Sequence, residues 1–230
     1  MYILHYAPDN ASLIVRLALE EIGAPYQTAL VDRSIRAQDS AAYRRLNPAG
    51  LIPALETEDG AMFETGAILL WLSERHGLLA PAPGHRERPH FLKYLFFLSN
   101  ALHADMRALF YPERYADAAA DLLAHHRVTV QRIGGHLRIL EALAAEQPSW
   151  FSAAEPSMLT IYACVLLRWL ALYPEARRGW FDLAPYPGLT AIAAALQQRP
   201  ASLRAARREG LGLTIFTAPH LATPPEGSAT

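Results

Sequence analysis

Strand signals end early in this chain, while helix signals run to its end. The first 76 residues alternate short β-type runs with amphipathic ones, and beyond "LLAPAPGHRERP" (78–89) every periodic segment has helical spacing. The three prolines and one glycine of that segment break every period and read as an interdomain linker. A chain divided in this way is expected to be α/β first and all-α afterwards.

The first part has a definite order. "YILHY" (2–6) reads as a strand, and "ASLIVRLALEEIG" sets Leu13, Ile14, Leu17, Ala18 and Ile22 at helical spacing before Gly23. "YQTALV" (26–31) is a second strand, and an irregular polar helical stretch follows, leading to "RRLNPAG". "IPALE" and "AMFE" flank the turn "TEDG" as a hairpin. "TGAILLWLSERHG" is an amphipathic helix with Thr65 as expected N-cap and Gly77 just past its end. The reading is β-α-β-α-β-β-α. In the second part, Pro89 suits the first turn of one helix running through "HFLKYLFFLSNALHADMRALFY". Later helices are expected over "AAADLLAHHRVTVQRIGGHLRILEALAAE", "SMLTIYACVLLRWLALY", "GLTAIAAALQQ" and "PASLRAARRE". The tail "TAPHLATPPEGSAT" is expected to be extended or partly disordered. The expected units are 1–77, a linker at 78–88, a helical domain at 89–210 and a tail at 211–230.

Composition narrows the function. With a formal charge of −1 over 230 residues and no basic block beyond "LRAARRE" (203–209), there is no electrostatic case for nucleic acid or an anionic membrane. One cysteine, Cys164, excludes an internal disulfide framework and reads as inert core. No long uncharged apolar run or basic-then-apolar leader is visible, so a cytoplasmic protein is expected. His125 and His126 are adjacent and point apart, and no residue set has metal-ligand spacing. Arg177 and Arg178 read as a solvated turn.

"NPAGLIPALE" (47–56) carries the sharpest local signal. Its Pro53 interrupts an apolar run that otherwise reads as a buried strand, although proline has no N–H for a ladder. Together with "FETGAILLWLSERHG" and "YPGLTAIAAALQQRPA", in that order, this segment resembles the glutathione S-transferase family, and the resemblance covers nearly the whole chain. It implies a thioredoxin-like N-terminal domain, an all-helical C-terminal domain, a homodimer and a site for glutathione with a small hydrophobic electrophile. The dimer would use the outer faces of the Thr65 helix and the helix from Pro89. The family's fold places Pro53 after a cis bond, turning the N–H and C=O of Ile52 toward an extended peptide ligand. Leu51, where many relatives carry glutamine, Ile52 and Pro53 would then border glutathione. Glu64 and Thr65, at a helix start, would hold its γ-glutamyl carboxylate and ammonium.

Three residues are candidates for activating the thiol. "HYAPDNASL" resembles a bacterial beta-class pattern but puts Ala11 where that class has its cysteine. Asn10, then Ser12, then Tyr6 are the remaining donors near the first helix start. An electrophile pocket is expected along Phe96, Asn100, His103, Arg107 and Phe110, spaced three or four apart on one helix. The chemistry implied is conjugation, or peroxide or disulfide reduction by the same thiolate. The rival reading is a non-catalytic binding or assembly module of the same architecture. "EPSMLTIYA" resembles the family's capping segment, with Ser157 as N-cap and Thr160 in place of its acid.

Overall fold

A computed structural model describes residues 1–115, 119–175 and 179–229. The N-terminal part runs β1 (Tyr2–Tyr6), α1 (Ser12–Ile22), β2 (Tyr26–Leu30), α2 (Ala41–Arg44), β3 (Ala54–Thr57), β4 (Gly60–Phe63) and α3 (Thr65–His76). The sheet order is β2-β1-β3-β4, with β1 parallel to β2 and the other pairs antiparallel. This is the thioredoxin-like arrangement, and an all-helical region follows it. There the helices are α4 (Arg88–Phe97), α5 (His103–Phe110), α6 (Ala119–Glu146), α7 (Met158–Leu172), α8 (Pro187–Gln197) and α9 (Pro200–Glu209). Arg177 and Arg178 lie outside the described residues.

One helix joins the two layers. Val15 and Leu19 on one face of α1 pack with Leu4, Leu55, Ile68 and Leu72 of the sheet domain. Leu13, Ile14, Leu17 and Ala18 on its other face belong to the helical core around α7. A helix buried on both sides reads as apolar through most of its length, as α1 does. Its N-terminus therefore opens where the domains meet. The basic segment near 203–209 is explained by the same helix: Arg204 pairs with Glu20 at 2.5 Å, while Arg199 pairs with Glu21 at 2.7 Å.

One local expectation is corrected, the cap at Thr65, and two others hold with added detail. The long helix expected from Pro89 runs unbroken from Arg88 to Phe110, with a wide π turn at Leu98–Leu102 between its α-helical parts, α4 and α5. Thr65 is the first residue of α3 rather than its cap. Glu64 holds the cap position at φ 71°, and its carbonyl accepts the first helical hydrogen bond, from Ile68 at 2.9 Å. The tail has neither helix nor strand, yet it is docked: Thr223 N–H donates to Gly210 at 2.9 Å, and the Tyr6 hydroxyl donates to Glu226. Before α7, Ser157 and Thr160 form the reciprocal box through hydroxyls, with Thr160 Oγ1 accepting from Ser157 N–H at 2.8 Å. No described helix is long and apolar enough to cross a membrane.

Candidate functional site

The segment before β3 is held rigid by its own side chains. The Leu51 carbonyl accepts from the Tyr43 hydroxyl and from Asn47 Nδ2, both at 2.7 Å. Asn47 Oδ1 in turn accepts from Ala49 N–H at 3.1 Å, and Gly50 takes φ 65°, a conformation that glycine adopts without strain. Ile52–Pro53 is cis. Ladder pairing begins at Ala54, opposite His5 and Phe63, so Ile52 stands outside the sheet at the mouth of a cleft.

That cleft, of about 470 Å³, lies between the sheet domain and the helical domain. Leu51, Ile52, Pro53, Glu64 and Thr65 line one side of it, and Asn10 and Ala11 also belong to its lining. Glu64 is exposed and its side chain caps nothing, whereas Thr65 is buried at the start of α3, where backbone N–H groups lack helical partners. Asn10 Oδ1 accepts from Ala11 N–H at 2.8 Å, which fixes the amide and leaves its NH₂ to donate elsewhere.

The other two thiol-activating candidates do not reach this space. Ser12 is fully buried; its hydroxyl donates to the Ala7 carbonyl at 3.0 Å and accepts from Ala7 N–H at 3.3 Å, so it braces the turn below the cleft. Tyr6 is buried, and its hydroxyl is spent on Glu226, with the Arg16 guanidinium 4.5 Å from its ring. Burial and the acid together raise its pKa, the wrong direction for a phenol that must give up a proton.

The second wall belongs to α5. His103, Arg107 and Phe110 line it, but Phe96 and Asn100 do not: both are exposed, and Asn100 accepts instead from the Ser99 hydroxyl at 2.8 Å. The π turn is the cause. Its wider winding carries the position three before His103 off the cleft face and brings the position four before it, Ser99, onto that face. His103 bonds the Tyr162 hydroxyl at 2.7 Å through Nδ1. Burial, and then the charge of Arg107, push its pKa down to about 4, so it is neutral at pH 7.

Sequence reasoning missed Asp9. Asp9 takes φ 49° and is 4% exposed. Its carboxylate accepts from Arg168 Nε and Nη2, both at 2.8 Å, from Trp169 Nε1 at 2.9 Å and from the Tyr173 hydroxyl at 3.0 Å. The signal was Arg168 itself: a fully buried guanidinium in an apolar helix demands a carboxylate. Tyr173 and Pro174, joined by a second cis bond, and Arg33, Tyr111 and Arg114 complete the lining. Cys164 is buried away from the cleft, and burial raises its thiol pKa. Among the described residues no group of acids, histidines and cysteines is arranged to hold a metal.

Comparison with known proteins agrees with this geometry. Residues 11–75 match the family model described as "Glutathione S-transferase, N-terminal domain". The maleylpyruvate isomerase of a Ralstonia species is 27% identical over 209 residues, covering 90% of this chain and 96% of that protein. The disulfide-bond oxidoreductase YfcG of Escherichia coli (strain K12) is 28% identical over 223 residues, covering 92% and 97%. A sphingomonad glutathione S-transferase, solved with glutathione bound, is 30% identical with a TM-score of 0.73, and the match covers 91% of this chain and all (100%) of that one.

Proposed function

The chain belongs to the glutathione S-transferase family, and from that premise we propose how its cleft works. The protein is a glutathione transferase. Glutathione lies with its γ-glutamyl carboxylate at the start of α3, where free N–H groups and the Thr65 hydroxyl donate, and with its ammonium beside Glu64. Its cysteinyl backbone runs alongside Ile52, and its sulfur points to Asn10. A free thiol with pKa ~8.5 is mostly protonated at pH 7, and a donated hydrogen bond from Asn10 Nδ2 raises the thiolate share. The thiolate then attacks a second substrate held against α5, and the thiol proton has already passed to solvent.

The observation that carries this reading is the convergence in one cleft of the sheet-free Ile52, the α3 start and the Asn10 amide. Against the non-catalytic alternative, which draws on the absent cysteine at Ala11 and the absent glutamine at Leu51, stands the Asn10 amide, which lines the cleft beside Ala11. Cys164 is too buried to form a mixed disulfide, so any reductive activity runs through glutathione alone. Exposed Phe96 on α4 supports a homodimer through the outer faces of α3 and α4, and exposed Phe63, on the strand next to α3, lies close to that surface in sequence. A reducing compartment such as the cytoplasm suits chemistry that consumes free thiol.

Titration calorimetry with glutathione tests the site. Each charge-assisted contact is worth ~1.5–3 kcal/mol, so Glu64→Ala and Thr65→Ala should each weaken binding by roughly ten- to a hundredfold. The urea midpoint should move little. Equal affinity in wild type and both variants would remove the assignment.

A further inference from the structure

The half of the cleft left for the second substrate is aromatic, but it is also cationic. Arg107 is half-buried one turn beyond His103 and makes no ion pair among the described residues. Arg114 lies with its guanidinium 4.9 Å from the Tyr111 ring centroid. Arg33, on the loop after β2, donates to the Ala229 carbonyl at 2.5 Å and the Tyr111 hydroxyl at 3.3 Å, both neutral acceptors. Nearby acids offset these charges only in part. Asp9 is committed to Arg168, Trp169 and Tyr173, Glu64 stands on the glutathione wall, and Glu175 leaves one carboxylate in the lining against three guanidinium groups. A neutral apolar ligand closing over Arg107 would strip its water and return no hydrogen bond, which makes such a ligand a poor occupant.

The two domains divide the cations. Arg33 comes from the sheet domain, on the side of glutathione, whose own glycyl carboxylate needs a partner there. Arg107 and Arg114 come from the helical domain, beside Phe110 and Tyr111, and face the thiol from across the cleft. We propose that the second substrate is an electrophile bearing a carboxylate, its anion held by Arg107 and Arg114 and its flat unsaturated body laid against Phe110 and Tyr111. This rests on the reading that glutathione occupies the opposite wall.

A matched pair of probes decides it: a chlorodinitrobenzoate and its methyl ester, each offered with glutathione. In both, the sulfur attacks the carbon bearing chlorine; the C–S bond forms, the C–Cl bond breaks, and chloride leaves with the electron pair. Rates are divided by the uncatalysed rate with glutathione, which removes intrinsic reactivity. The expected result is kcat/KM at least about tenfold higher for the acid, the scale of one charge-assisted contact, with the preference falling as salt rises. Arg107→Gln and Arg114→Gln should each cut that preference, and Arg107→Lys should retain more of it than Arg107→Gln. If Arg107→Gln fails to fold, the wild-type ratio and the lysine variant still decide.

Equal use of acid and ester by the wild type overturns the proposal and leaves the transferase reading intact. So does an Arg107→Gln variant that raises KM for glutathione and slows both probes alike, because the cation would then serve glutathione. Glutathione binding in calorimetry without conjugation of the acid overturns the substrate class alone. Absence of glutathione binding overturns this proposal and the functional reading together.

Discussion

Asn10 and His103 both line the cleft, and their environments give them different tasks. The Asn10 amide is pinned by Ala11 N–H, so its free N–H can stabilise negative charge without reorganising. Asn10→Ala should cost about 2–3 kcal/mol of thiolate stabilisation, which raises the bound thiol's pKa by about two units. Thiolate absorbance against pH checks this. Ser12→Ala and Tyr6→Phe should leave it almost unchanged, and a shift with Ser12→Ala alone would give the role to the hydroxyl. Fold stability should fall by only ~1 kcal/mol, as for loss of a cap. His103 has its folded pKa depressed from 6.5 to about 4 by burial and Arg107. Between those values the unfolded chain takes up a proton and the folded one does not, so its share of stability is full above pH 6.5 and is lost as pH falls toward 4. Urea unfolding at several pH values should show a shallower acid decline in His103→Gln than in wild type. At this scale, Ile52, Glu64, Thr65 and Asn10 could be nominated from sequence because short motifs fix the local backbone around them. Tyr6 was opaque for the opposite reason: its hydroxyl partner, Glu226, lies 220 positions away.

At the scale of elements, strand and helix order was legible because period and turn chemistry are local. "TEDG" closes the β3–β4 hairpin, Gly23 and Gly77 end α1 and α3 in the left-handed region, and prolines open α8 and α9. The π turn was not legible, since its residues keep an ordinary apolar spacing, with Leu98 and Leu102 both buried. That one turn moved Phe96 and Asn100 out of the site and Ser99 into it. A second element-level fact is the clasp between the β1–α1 loop and α7, in which Asp9 and Arg168 are both buried. Removing one charge from such a pair strands the other, at a cost of about 3–5 kcal/mol. Asp9→Asn should therefore lower the urea midpoint by a corresponding amount. Pairing it with Arg168→Met should cost less than the sum of the single changes, because no charge is then left unpaired. Additive losses would mean that the two side chains stabilise the fold independently.

Across the whole molecule, the two-part architecture was readable from where strand signals stop, but the path of the tail was not. A stretch of small residues and prolines carries no period, and composition alone points to an extended or disordered end. What anchors it is a few donors far away in sequence. Arg168 Nη2 donates to the His220 carbonyl at 2.9 Å, Tyr6 to Glu226, and Arg33 to the Ala229 carbonyl at 2.5 Å. These partners belong to α7, β1 and the loop after β2, so the tail straps the helical domain to the sheet domain and brings Ala229 into the cleft lining. Ending the chain at Ala218 removes all three acceptors. At about 0.5–1.5 kcal/mol each, the expected loss is roughly 2–4 kcal/mol, with the upper part drawn from leaving the Arg168 guanidinium short of one partner. Glu226→Gln keeps an acceptor for Tyr6 and should cost less than 1 kcal/mol or so by the same measure. The truncation should also act on function, because Arg33 keeps only its longer bond to Tyr111 and loses the contact that fixes its aim. KM for glutathione should therefore rise in the truncated protein and stay near wild type in Glu226→Gln. Protease mapping gives an independent readout: the segment 219–229 should resist cleavage in the intact protein until the fold opens. A tail cut at once, with no change in the urea midpoint or in KM, would show that it does not strap the domains in solution.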